Sequence, residues 1–245
     1  IDEIFDTQDE IIETIVATIA GKVEVSETKR VSNARPENLS AYDMVLQGLE
    51  YHRRSNLTRS EAPKALALFE KAIETDPTYA RAYAWKACSL ANCAGWQPEA
   101  YPKDWFDICR ASASRALELD PDDHEANRIM GSISLNLRDF DLARHHHDRA
   151  EELCPSDSYI IGKNAEMRLY LGEPQEGLEK VTWAMRINPF CPDDLLEKDG
   201  KCRFWLDDFK GALASLKKMR TESRDGLFYS AATLKKLGRE DEALE

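Results

Sequence analysis

The chain has 245 residues, of which 42% are hydrophobic and 32% are charged, a composition typical of folded proteins and too apolar for a disordered one. Its formal net charge is −12, so the field of the whole chain disfavours nucleic acid and anionic membranes as partners. The sequence has no run of 18 apolar residues, which excludes a membrane-spanning helix of ordinary length.

The first 40 residues predict one amphipathic helix followed by a linker. Isoleucines at helical spacing form its apolar stripe: Ile4, Ile11, Ile15 and Ile19. The segment "VSNARPENLS" follows, and we place a domain boundary there, with residues 1–40 as helix and linker from an upstream domain and residues 41–245 as a second domain. The chain begins without methionine and stops inside an amphipathic pattern, so we expect a longer parent protein.

Prolines recur at a fixed interval through the second domain. Pro121, Pro155 and Pro189 follow one another every 34 residues, and Pro77 precedes Pro121 by 44 residues. A period of 34 is typical of helix–turn–helix repeats. Because proline cannot continue a helix, each proline predicts the end of one.

Residues before the prolines repeat as well. Twelve, eight and five places upstream stand Ala65, Phe69 and Ala72; Cys109, Ala113 and Ala116; Ala143, His147 and Ala150; and Gly177, Val181 and Ala184. Each preceding helix also carries a small residue at one register, for example Ala87, Gly131 and Ala165. This is the tetratricopeptide pattern. It predicts an all-α fold, an α-α superhelix (a solenoid) of about five to six helix-turn-helix repeats.

The stretch "RHHHDRAEELC" raises the possibility of a metal site. Successive residues on a helix point about 100° apart, so His145, His146 and His147 cannot converge on one ion. His147 occupies a packed position of the repeat, and we expect the other two histidines to face a neighbour or solvent. We therefore predict neither a metal nor a cofactor, and we expect the six cysteines to be reduced thiols of a cytoplasmic protein.

Motifs of nucleotide binding, metalloproteases and serine hydrolases are absent from the sequence, so we predict no catalytic residue in this chain. The repeats instead predict a groove that binds a protein or peptide, or supports self-association. By register, the groove residues are Arg81, Arg128, Ser132, Tyr159, Glu166, Leu196 and Arg203. Guanidinium groups there suit carboxylates of a peptide. The alternative for each residue is ordinary solvated surface.

A long insertion in the second repeat is rich in aromatic residues: Trp96, Tyr101, Trp105 and Phe106. These side chains either form a separate contact patch or pack back on the solenoid.

Three segments, "IFDTQDEI", "RPENLSAYDMVLQG" and "ALALFEKAIETDPTYARAYAWKA", make nearly the whole chain resemble the C-terminal half of a bacterial multidomain family. In that family a class III adenylate/guanylate cyclase domain precedes a TolB-like segment and tetratricopeptide repeats. The resemblance implies a non-catalytic regulatory module of a parent that makes cyclic AMP from ATP. The same tail resembles that of winged-helix transcriptional regulators, and a stand-alone peptide-binding adaptor is a third alternative. Asp199 and Gly200 depart from the family's small apolar residues, which predicts a distorted groove in the fifth repeat.

Overall fold

A computed structural model describes residues 40–55, 59–188 and 190–243. Over these ranges the chain is all-α, with eleven α-helices and three short 3₁₀ turns. None of these eleven helices combines the length and the apolar character needed to cross a bilayer. The helix and linker predicted for residues 1–40 lie outside the described residues, apart from Ser40.

The helices come in pairs along the chain. They are α1 Ala41–Ser55 with α2 Ala62–Thr75, α3 Ala80–Trp96 with α4 Trp105–Leu119, α5 His124–Asn136 with α6 Phe140–Leu153, α7 Ser158–Tyr170 with α8 Pro174–Ile187, α9 Asp193–Trp205 with α10 Phe209–Leu216, and then α11 Arg224–Lys236. We call the odd-numbered helices first helices and the even-numbered ones second helices. Five pairs and a sixth first helix confirm the predicted five to six repeats.

The described residues group into two compact units, which we call the N-terminal unit (to Leu153) and the C-terminal unit (from Cys154). Within each unit the two helices of a pair contact each other, and so do successive first helices: α1, α3 and α5 in the N-terminal unit, and α7, α9 and α11 in the C-terminal unit. The first helices of each unit therefore form a continuous surface.

The prolines end the second helices as predicted. Helices α2, α4 and α6 each stop two residues before Pro77, Pro121 and Pro155. The residues just before two of these prolines have extended backbone, with φ −138° and ψ 94° at Asp76 and φ −145° and ψ 97° at Asp120. The proline ring excludes helical geometry from the residue that precedes it, so the helix cannot run on.

Helices α5, α7, α9 and α11 each end in the same type of turn. Arg138, Gly172, Asp207 and Gly238 all have positive φ, between 60° and 80°. The N–H of the residue that follows each of them donates to the carbonyl five residues back, for example from Asp139 at 2.9 Å. The left-handed residue itself also donates to the carbonyl three residues back, at 3.1–3.2 Å. Together the two hydrogen bonds satisfy carbonyls that the helix end leaves open.

The repeated small residues let the two helices of a pair approach closely. All twelve predicted positions upstream of the prolines are buried, which confirms the packing pattern. A Cβ placed on Gly131 would lie only 2.6 Å from Cδ2 of His147.

The three consecutive histidines lie as predicted. His147 is packed, Nδ1 of His146 lies 3.0 Å from Oδ1 of Asn127, and His145 is exposed.

Most of the aromatic side chains in the insertion of the second repeat pack against the helices. Tyr101, Trp105 and Phe106 lie against the core formed by α3, α4 and α5. Trp96 is the exception, with 45% of its surface exposed. Of the two alternatives, packing therefore holds for three of the four side chains.

We predict that Gly131→Ala lowers the free energy of unfolding by about 1–3 kcal/mol, because the new methyl group overpacks the contact with His147. The matched control is Gly95→Ala, since a Cβ on Gly95 meets nothing within 4 Å. That control should be neutral or stabilising by up to about 1 kcal/mol. Thermal unfolding followed by circular dichroism measures both, and equal effects of the two substitutions would contradict the close approach.

Candidate binding faces on the first helices

In the N-terminal unit, the predicted arginines already bind carboxylates of this chain. Nε of Arg81 donates to Oδ2 of Asp123 at 2.9 Å. Arg128 is only 3% exposed, and its Nε donates to Oε2 of Glu125 at 2.6 Å. The hydroxyl of Ser132 donates to the backbone carbonyl of Arg128 at 3.2 Å. Each guanidinium group therefore already has a carboxylate partner of this chain, with which a ligand carboxylate would have to share it.

In the C-terminal unit, two of the predicted residues lie together on α7. Oε2 of Glu166 lies 2.8 Å from Nζ of Lys163, and that ammonium group lies 5.8 Å from the centre of the Tyr159 ring. Tyr159 is partly exposed to solvent. This end of α7 therefore presents an aromatic ring beside an ion pair.

The two predicted residues on α9 lie in different environments. Leu196 is buried. Arg203 donates from Nε to Oδ2 of Asp199 at 2.7 Å and from a terminal nitrogen to Oδ2 of Asp208 at 2.9 Å. Asp199 also accepts a hydrogen bond from the hydroxyl of Ser215. The polar residue that departs from the family pattern is thus buried and satisfied.

Two residues of α9, Glu197 and Lys201, are candidate groove residues that the sequence analysis missed. On α5 and α7 the left-handed turn residue lies seven places after the small packed residue, as Arg138 does after Gly131, and the same spacing makes Gly200 the packed residue of α9. A Cβ on Gly200 would lie 2.7 Å from Cγ of Leu216, which confirms the close contact. Glu197 and Lys201 then take the register of Arg128 and Ser132. The turn residue Asp207, seven places after Gly200, was the signal from which this register could have been recognised.

Lysine side chains on α9 are buried within a network of carboxylates. Nζ of Lys201 lies 2.7 Å from Oε1 of Glu197 and 2.6 Å from Oδ2 of Asp225 on α11, while only 4% of its side chain is exposed. Lys198, also buried, pairs with Asp194 one turn earlier. An isolated ammonium group would be costly at such depth, and the neighbouring carboxylates offset that cost.

Electrostatic interactions connect the charged side chains of α7 with those of α9. Burial alone would raise the pKa of Glu166, but the charges of Lys163 and then Lys198 outweigh it and hold that pKa well below its usual range. Burial acts to lower the pKa of Lys201, whereas its hydrogen bonds to Asp225 and Glu197 raise it overall. Both groups are therefore charged at neutral pH.

Exposed aromatic side chains adjoin this network. Tyr170 is 59% exposed, Trp205 is 60% exposed and Phe228 is 67% exposed. Nε1 of Trp205 donates to the hydroxyl of Tyr229 at 3.1 Å, and Nζ of Lys201 lies 5.7 Å from the centre of the Tyr229 ring.

The network also affects the phenol of Tyr170. Partial burial of the phenol and then the nearby Glu166 carboxylate raise its pKa. We call these residues the charged–aromatic face: Lys163, Glu166, Tyr170, Asp194, Glu197, Lys198, Lys201, Trp205, Asp225, Phe228 and Tyr229.

Comparison with known proteins assigns the fold. A thermophilic tetratricopeptide-repeat protein of Thermus thermophilus superposes with a TM-score of 0.60, at 14% identity, over 84% of this chain and 99% of that chain. The chain has the tetratricopeptide-repeat fold. IFIT1, solved as a monomeric mutant with Gppp-AAAA, has the same fold with a TM-score of 0.70, at 17% identity, over 93% of this chain and 53% of that chain.

The match in sequence is partial. No protein-family model matches the chain. Tetratricopeptide repeat protein 37 of Xenopus laevis is 27% identical in an alignment of 216 residues that covers 83% of this chain and 12% of that protein. The tetratricopeptide repeats described here therefore span only a small part of that relative.

We predict that Glu166→Gln lowers the free energy of unfolding by about 2 kcal/mol at neutral pH, because it removes a charged hydrogen-bond partner of Lys163. Since the pKa of Glu166 is depressed in the folded state, its contribution is present above the unfolded pKa of about 4.3 and is lost as the pH falls through the folded value. The difference between the two proteins should therefore shrink in acid. Urea unfolding at several pH values measures it, and a pH-independent difference would contradict this assignment.

Proposed function

We propose that this tetratricopeptide-repeat chain is a non-catalytic interaction module whose charged–aromatic face binds a protein segment that carries both basic and apolar side chains. The observation that carries the proposal is the placement of exposed aromatic rings beside an ion-pair network in which carboxylates outnumber lysines. The network contains Lys163, Lys198 and Lys201 against Glu166, Asp194, Glu197 and Asp225.

The exposed groups define what the face can accept. Trp205 and Phe228 offer large rigid apolar surfaces, the kind of side chain that dominates binding energy at interfaces. The side chains of Asp194 and Asp225 remain 43% and 54% exposed although each already binds a lysine. Their outer oxygens can accept hydrogen bonds from a ligand's arginine or lysine. The net charge of −12 would attract such a segment at long range.

A protein segment fits better than RNA does. IFIT1 shares the fold and was solved with Gppp-AAAA, so the fold itself is compatible with a nucleotide ligand. On this chain, however, a phosphate would meet the outer oxygens of Asp194 and Asp225, and the overall charge would repel it. The predicted groove residues Arg81, Arg128, Ser132, Tyr159, Glu166, Leu196 and Arg203 stay a prediction, with Glu166 as the one that belongs to the proposed face.

The binding prediction can be tested with the full 245-residue chain. Random peptides of about twelve residues, selected by phage display on this protein, should be enriched in arginine or lysine together with leucine or phenylalanine. Fluorescence anisotropy of a selected peptide should show binding at least about tenfold weaker for Trp205→Ala. Asp225→Asn should weaken it less and reduce its dependence on salt.

Phe140→Ala provides the matched control, because Phe140 is an exposed aromatic residue on α6 of the other unit. It should leave peptide binding unchanged. Enrichment of acidic peptides, equal effects of Trp205→Ala and Phe140→Ala, or tight binding of a single-stranded RNA in place of peptides would each contradict the proposal.

For the parent protein, we propose a bacterial adenylate or guanylate cyclase of the cytoplasm, in which this chain is the regulatory module. The resemblance of "RPENLSAYDMVLQG" and its flanking segments supports this. The same resemblance leaves a winged-helix transcriptional regulator as the second candidate and a stand-alone adaptor as the third.

The parent is tested by assaying the full-length gene product for cyclic AMP formation from ATP, with and without residues 41–245. We expect cyclic AMP from the intact protein and an altered rate after the deletion, because removal of a regulatory module changes the activity of the domain it controls. Absence of cyclic AMP together with a winged helix upstream would contradict the cyclase proposal and favour the transcriptional regulator. Absence of both domains would favour the adaptor.

A further inference from the structure

A cysteine and a histidine meet between α1 and α3 in the N-terminal unit. Sγ of Cys88 lies 3.6 Å from Nε2 of His52. The other ring nitrogen, Nδ1, lies 2.9 Å from the hydroxyl oxygen of Ser89, which is fully buried. The indole of Trp85 packs edge-on against the imidazole at 5.1 Å. The ring is therefore held with Nε2 directed at the sulfur atom.

Helices α4 and α5 also contribute groups that face this thiol. The guanidinium group of Arg128 on α5 lies over the Trp85 ring at 5.5 Å and forms an ion pair with Glu125 at 2.6 Å. On α4, burial raises the pKa of Cys109 to about 12, so that thiol is neutral. The groups around Cys88 are thus an imidazole, a guanidinium group with its carboxylate partner, and an uncharged thiol.

This environment favours the thiolate form. Burial by itself raises the pKa of Cys88, but the positive charge and hydrogen bond of His52, and then those of Arg128, outweigh burial and lower that pKa to about 7. A large fraction of the thiol is therefore ionised at neutral pH, and the thiolate is the form that reacts with electrophiles.

We propose that Cys88 is a site of oxidation by a small peroxide, with His52 as the base that activates it. His52 takes the thiol proton, and the thiolate attacks one oxygen atom of hydrogen peroxide. The S–O bond forms as the O–O bond breaks, and the departing hydroxide takes the proton back from the imidazolium to become water. The sulfur loses two electrons to the peroxide and becomes a sulfenic acid. This inference does not depend on the binding function proposed for the C-terminal unit.

The other cysteines provide internal references. Cys93, Cys109 and Cys202 are buried, whereas Cys154 and Cys191 are partly exposed like Cys88. Burial raises the pKa of Cys191, so Cys191 reports the reactivity of a partly exposed cysteine whose surroundings do not lower its pKa.

The first test exposes the full chain to hydrogen peroxide at a pH of about 6.5, traps sulfenic acid with dimedone and measures the adduct at each cysteine by mass spectrometry. Cys88 should react at least about fivefold faster than Cys191, because its larger thiolate fraction outweighs the lower nucleophilicity of a more acidic thiol. His52→Asn should slow Cys88 by about fivefold and leave Cys191 unchanged. Circular dichroism checks that the variant is folded.

The second test needs no substitution. The rate of alkylation by iodoacetamide, measured at each cysteine from about pH 5.5 to about pH 9.5, should level off near pH 7 for Cys88 and keep rising for Cys191. The proposal is overturned if the folded chain is not labelled at Cys88, if Cys88 reacts no faster than Cys191 at the lower pH, or if a folded His52→Asn variant reacts like the original protein.

Discussion

Close approach of the two helices in each repeat is the constraint on which this structure depends. In three repeats a glycine of the first helix lies directly against a large side chain of the second: Gly48 on Phe69, Gly131 on His147 and Gly200 on Leu216. An added Cβ would come within 2.6–2.7 Å of those side chains, a distance that no packed Cβ tolerates. The absence of a side chain on one helix thus makes room for a large one on the other, as close packing requires.

This packing occupies only part of each first helix, and the two units use the remaining positions differently. In the N-terminal unit the first helices bring Cys88, His52 and Arg128 together. In the C-terminal unit they carry buried lysines among carboxylates, with aromatic rings exposed beside them. In both cases a buried cation is tolerated because an anion or a polarisable group lies within contact distance.

The repeat itself could be predicted because its signals are local. A proline ends a second helix through its own ring geometry, and a small residue at a fixed register marks the helix contact, so Ala65 and Ala184 could be recognised as buried from spacing alone. The prediction on α9 rested on a weaker signal, because Asp199 and Gly200 are adjacent. Leu196 and Arg203 stay predictions, whereas the contact of Gly200 with α10 gives Glu197 and Lys201 the register that Arg128 and Ser132 have on α5.

The sequence by itself determined the helix pairs, the ends of the second helices before the prolines, the packed positions of the first four repeats and the burial of His147 beside two histidines that point elsewhere. These features follow from the period of a helix and from the stereochemistry of proline and small residues, which act over a few residues. Only the tertiary structure decided which side chains pair on the first helices. His52 and Cys88 are 36 residues apart, and Lys201 and Asp225 are 24 apart. The acidity of that thiol and the charge of that lysine depend on a few ångströms between helices, which no local pattern records.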